Sequence, residues 1–156
     1  MAQGTPVAPD LLQEWAAGWS NLADPAPLLA LVTADVVYED VAAGDVVEGS
    51  AAFKQLLTEA GAAIPDFTIS LASGLVDGDL AAAEYVISGT QAGDLPYLAA
   101  TGKRFSLRAA SVFTLAGGRI QRESRYYNML SFLTQLGALS GDTLPPLGTP
   151  LPEPPQ

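Results

Sequence analysis

Apolar and polar positions alternate most clearly between Arg104 and Tyr127, where two β-rich runs flank Gly117-Gly118. A glycine pair accepts the positive φ angles of a tight hairpin turn, so the runs are predicted to form one hairpin with a two-residue loop. In that register Ala116 faces Arg119, and side chains alternate between the two faces of the sheet. One face collects Leu107, Ala109, Ser111, Phe113 and Leu115 with Ile120, Arg122, Ser124, Tyr126 and Asn128. The other collects Arg108, Ala110, Val112 and Thr114 with Gln121, Glu123, Arg125 and Tyr127. The first face is mostly apolar with polar groups set into it, a mixture that suits the wall of a small-molecule pocket. Glu123 and Arg125 fall on the opposite face and are expected in solvent. Met129 to Leu136 then follows with the spacing of one short helical face.

Upstream, Leu11, Leu12, Trp15, Ala16 and Trp19 recur at helical spacing behind Asp10, a suitable N-cap. Asp24-Pro25 breaks this helix, and Ala26 to Leu31 reads as a second, short one. Val36 to Glu39 reads as a brief strand ending at Asp40, and Ala43-Gly44-Asp45 as a loop. Ser50 is the expected N-cap of a third helix through Phe53, Leu56, Leu57 and Ala60. Strands follow at 68–76 and 80–90, joined at Asp77-Gly78, a strong hairpin signal. Gln91 to Thr101, with Gly93 and Pro96, is a loop placed as a rim over the pocket. Residues 1–9 are expected to form a flexible arm, and the proline-rich stretch 140–156 an extended, mobile tail. Between them, 10–139 is predicted to be a single α+β domain. Its helices cover one face of a curled, mostly antiparallel sheet and leave a cone-shaped cavity.

Composition narrows the chemistry. The chain of 156 residues contains no cysteine and no histidine. That removes thiolate nucleophiles, serine–histidine triads and imidazole-ligated metals. Catalysis falls to carboxylates, tyrosine, lysine, arginine or backbone dipoles, with no metal or cofactor expected. A formal charge of −10 argues against nucleic acid and anionic membranes as partners. No uncharged stretch supplies the roughly 18 apolar residues of a membrane span, and no basic, then apolar, leader opens the chain; a soluble cytoplasmic protein is expected. Lys54 is the one base before Lys103, whereas Lys103, Arg104, Arg108, Arg119, Arg122 and Arg125 share the next stretch with a single acid, Glu123. Such a basic sheet face is either solvated beside acidic strands or docked on a second copy, which would give a homodimer through the outer sheet face.

The order of these pieces resembles the nuclear transport factor 2-like superfamily, and within it the SnoaL-like polyketide cyclase group. The match is carried by EWAAGW around Trp15 and Trp19, ADVVYED at Ala34–Asp40, and EGSAAFKQLL from Glu48. It continues through IPDF at Ile64–Phe67, ISGTQAG at Ile87–Gly93, ATGKRFSLRAASVF from Ala100, and QLG at Gln135–Gly137. The resemblance implies a cone-shaped α+β barrel. It also implies an intramolecular aldol closure without a cofactor, driven by an acidic residue late in the chain. Asn128 stands where relatives commonly carry that aspartate, and Gln91 where they commonly carry histidine; both retain hydrogen bonding but lose proton exchange near neutral pH. YED at Tyr38–Asp40 resembles the strand end that supplies the general-base aspartate of ketosteroid isomerase, a relative of the same fold. The oxyanion-hole tyrosine of that enzyme falls near Trp15.

Two readings stand for each candidate. Asp40 is a base removing a proton beside a carbonyl, or a strand-end cap. Asn128, Tyr126 or Trp15 orients the carbonyl oxygen, or serves the junctions and the core. Trp15, Trp19, Tyr38, Gln91, Ser111, Phe113, Ser124 and Tyr126 are the expected ligand-binding set. A limonene epoxide hydrolase-like Asp-Arg-Asp set fits less well, because no aspartate follows Gly102 before Asp142. The expected ligand is a small, hydrophobic, oxygenated molecule. The enzymatic form of the reading is a cofactor-independent cyclase or isomerase. The alternative is a non-catalytic carrier or sensor, or a dimeric interaction module, that has lost its acid/base groups.

Overall fold

The computed structural model describes residues 9–139; the expected arm up to Ala8 and the tail from Ser140 lie outside the described residues. Helix α1 (Asp10–Trp19) starts after Pro9 and buries Leu12, Trp15, Ala16 and Trp19 along one stripe. Pro9, not Asp10, holds the N-cap position, and Asp10 sits in the first turn, where a carboxylate complements the helix dipole. The Ser20 hydroxyl closes the helix on Ala16 O at 2.8 Å. It also accepts from Ile69 N at 2.9 Å, tying the helix end to the sheet.

Helix α2 (Ala26–Leu29) is shorter than its apolar run suggests. It lies so close to α1 that a Cβ on Gly18 would stand 2.8 Å from Leu28 Cβ. Helix α3 (Ser50–Ala63) buries Phe53, Leu57 and Ala63; Gly49, at φ 87°, takes the N-cap place expected for Ser50.

The strands β1 (Val32–Asp40), β2 (Asp45–Glu48), β3 (Thr68–Asp77), β4 (Leu80–Thr90), β5 (Arg104–Ala116) and β6 (Arg119–Tyr127) form one sheet in the order β2-β1-β6-β5-β4-β3. β1 is longer than the predicted strand. Asp45, read as loop, begins β2, which pairs antiparallel with β1. Every neighbouring pair is antiparallel except β1 and β6, which run parallel. Helix α4 (Met129–Gln135) leaves β6 through Asn128 and packs on β5. With α1 against β3, and α3 against β1 and β2, the helices enclose one face of the sheet, as the α+β reading expects.

The β5–β6 hairpin departs from the simple alternation at one residue. Ala116 faces Arg119 and Leu115 faces Ile120, as the Gly117-Gly118 turn dictates, but Thr114 faces Arg122. Gln121 is the extra residue of a β-bulge, and a single bulged residue reverses the facing of every side chain beyond it. Glu123, Arg125 and Tyr127 therefore turn inward beside Phe113, Ser111 and Ala109. Ser124 and Tyr126 turn outward. The expectation for this half of the strand is inverted.

Candidate functional site

Between α3, the 91–101 loop and the inner sheet face lies a cavity of about 430 Å³. Trp19, Phe67, Ile87, Phe105, Leu107 and Phe132 give it an apolar body. Tyr38, Asp40, Arg125 and Tyr127 add polar groups from β1 and β6, and Asp94 to Tyr97 of the loop border it as the expected rim.

Asp40 and Arg125 are partners across the parallel β1–β6 ladder, so both side chains rise on the same face. Asp40 Oδ1 accepts from Ala43 N at 2.9 Å, which closes the turn between β1 and β2. Its Oδ2 accepts from the Tyr127 hydroxyl at 3.0 Å. Burial pushes the Tyr127 phenol well above its ordinary pKa, and the Asp40 carboxylate pushes it further, so Tyr127 remains the donor. Tyr38 is likewise raised, chiefly by burial against the opposing pull of Arg125.

Arg125 is 4% exposed. Its guanidinium carbon lies 4.1 Å from the Trp19 ring centroid, a cation–π stack out of water. Burial opposes its charge, but the phenols of Tyr38 and Tyr85 and the carboxylates of Glu123 and Asp40 outweigh that and hold it protonated, above its ordinary pKa.

Of the expected ligand-binding set, the structure brings Trp19 and Tyr38 onto this cavity, beside the candidate base Asp40. Trp15, Ser111 and Phe113 lie in the closed core beneath it, each fully buried. Trp15 packs edge-on against Tyr85 and Phe113 and donates from Nε1 to Glu123 Oε1 at 2.8 Å.

Gln91 is buried in the loop, where its amide donates to Leu98 O and Ala99 O and accepts from Thr101 N and Oγ1. Ser124 faces outward and donates to Glu39 at 3.1 Å. Tyr126 is 47% exposed on the same side. Asn128 is exposed, and its Oδ1 accepts from Ser131 N at 3.0 Å as the N-cap of α4. The bulge removes Ser124, Tyr126 and Asn128 from the lining in favour of Arg125 and Tyr127. No sequence signal marks the exchange, because Glu123 and Arg125 lie two positions apart and share a face in either register.

A family model described as SnoaL-like polyketide cyclase matches residues 9–136. No curated protein matches the chain at a significant level. Among solved structures, it is similar to a hypothetical protein with a ketosteroid isomerase-like fold from Catenulispora acidiphila, in complex with trimethylamine. That match has a TM-score of 0.75 and 26% identity and covers 89% of this chain and 100% of that one. TsrD from Streptomyces laurentii aligns with a TM-score of 0.72 and 26% identity over 83% of this chain and 93% of that one. A candidate polyketide cyclase from Pseudomonas putida gives 0.70 and 28% over 84% and 98%.

Proposed function

The chain belongs to the SnoaL-like polyketide cyclase family, and from that premise we propose that it binds a small, largely apolar, oxygenated molecule in the Asp40 cavity and abstracts a proton next to its carbonyl group. The observation that carries this reading is a carboxylate on the wall of a cavity whose body is aromatic and aliphatic. Asp40 takes the α-proton, and the C–H electron pair moves onto the carbonyl oxygen as an enolate. The enolate carbon then attacks a second carbonyl of the same molecule, closing a ring as that carbonyl's oxygen takes up the proton from Asp40, or it regains the proton at another carbon, completing an isomerisation. Tyr127, a neutral phenol donor, holds Asp40 Oδ2 in place.

A ligand carrier is the second reading. It is favoured by the engagement of both Asp40 oxygens with protein donors. Deuterium exchange at the α-carbon of a panel of cyclic ketones and polyketide mimics separates the two. Exchange that vanishes in Asp40→Asn supports proton abstraction; tight binding without exchange, indifferent to that substitution, replaces it with the carrier. The proposal includes a second copy seated on the outer sheet face, where Val112 and Tyr126 are exposed. Native mass spectrometry reads the dimer and any retained ligand together.

A further inference from the structure

Beneath the cavity lies a ring of hydrogen bonds that this proton transfer leaves unused. Arg125 donates from Nε to the Tyr85 hydroxyl oxygen at 3.0 Å and from Nη2 to Glu123 Oε2 at 3.5 Å. Ser111 donates to the same Oε2 at 2.9 Å. The single hydroxyl proton of Ser111 is thereby committed, so in the 2.7 Å contact between Tyr85 and Ser111 the tyrosine is the donor. Donation runs from Arg125 through Tyr85 and Ser111 to Glu123, and the direct bond from Arg125 to Glu123 closes the ring. Trp15 fixes the other Glu123 oxygen.

Such a buried pair seldom stabilises a fold better than apolar packing of the same volume. It also leaves the guanidinium under-used: Arg125 lines the cavity, and Nη1 takes part in none of these bonds.

We propose that Arg125 Nη1 is the oxygen-binding group of the cavity, and that Glu123, held by Trp15 and Ser111, is a positioning residue that sets the plane of the guanidinium and cancels its charge. The inference rests on the carbonyl-site reading and gives it a charge rule. Arg125 and Glu123 sum to zero, and the Asp40 carboxylate leaves the trio with one negative charge. A ligand already anionic is repelled, whereas a neutral carbonyl compound enters freely. When Asp40 accepts the α-proton it becomes neutral, and the negative charge reappears on the ligand oxygen beside Nη1. The site thus favours charge that develops during the step over charge that arrives with the ligand.

The test uses 7-hydroxycoumarin, whose phenol and phenolate absorb differently, with occupancy read from quenching of tryptophan fluorescence. The background is full-length Asp40→Asn, which carries the charge the site has after proton transfer. In it the bound probe is expected to ionise at lower pH than the free probe. Adding Glu123→Gln removes the cancelling charge and lowers that midpoint by about one further unit, a tenfold gain in bound phenolate at fixed pH. Adding Arg125→Gln raises it by at least about one unit. Tyr85→Phe keeps charge and volume while freeing Nε; it raises the midpoint by about half a unit and serves if either charge variant fails to fold. Probe that binds with one unchanged midpoint throughout overturns the Arg125 assignment and leaves the cavity reading standing. Probe that binds no variant overturns both.

Discussion

At the scale of single residues the two tryptophans of α1 show what sequence can and cannot distinguish. Both belong to one apolar stripe, and both are buried in the fold. Trp15 Nε1 donates to a buried carboxylate, whereas Trp19 Nε1 is buried without a hydrogen-bond partner. Helical spacing assigns the face but not the partner, because Glu123 comes from a strand more than a hundred residues later. Substitution separates them. Trp15→Phe leaves Glu123 Oε1 short of a donor, so it should cost about 2 kcal/mol more stability in urea denaturation than Trp19→Phe, which loses no hydrogen bond. Equal losses would mean that the Trp15 indole N–H contributes nothing and that Glu123 is solvated through another route. Asp40, Tyr38 and Trp19 were legible as a group because strand parity and helix spacing both survive locally. Arg125 was not: a lone arginine in a basic stretch reads as surface, and only its pairing with Glu123 over an aromatic ring makes burial tolerable.

The elements were legible where the turn chemistry is strong. Gly117 and Gly118, at φ 58° and 76°, make the predicted two-residue turn, and Asp77 pairs with Leu80 around the positive-φ Gly78. The Gln121 bulge was not legible, because either parity of RIQRESRYY places charged residues on both faces. Its partner irregularity lies in β1, whose register with β6 shifts between Val32 and Val37. Gln121 Nε2 reaches Asp35 Oδ2 across that gap at 3.3 Å. The bulge is thus shared by two strands, and one residue decides which side chains reach the cavity. Deleting Gln121 restores the simple alternation. The pairs on either side are unchanged, with Arg122 opposite Thr114 and Glu123 opposite Phe113, so the variant should unfold cooperatively with only the modest loss expected from the Gln121–Asp35 bond, about 1 kcal/mol. A deletion variant without a cooperative transition would show that the bulge itself, and not the pairing on either side of it, holds the facing of β6.

For the whole molecule, the interior and not the acidic surface governs how the fold answers to pH at the alkaline end. Tyr38, Tyr85 and Tyr127 are packed around Arg125 and Asp40 on one side of the sheet. Burial is the leading cause that raises each phenol, Tyr85 from 10.0 to about 12 and the others in the same direction. Unfolded, all three ionise near their ordinary value of about 10. A group whose pKa is higher in the fold than in the open chain contributes stability that is whole below the unfolded value. That contribution is lost as pH rises through the folded one. The urea midpoint should therefore decline from about pH 10 upward, and tyrosinate absorbance from these three residues should appear with unfolding rather than before it. Tyr85→Phe takes one phenol out of this linkage and should flatten the decline. If most of the tyrosinate signal instead develops near pH 10 with the near-ultraviolet circular dichroism of the fold intact, water reaches these hydroxyls freely. The low-dielectric setting on which both Asp40 and Arg125 depend for their chemistry would then be absent.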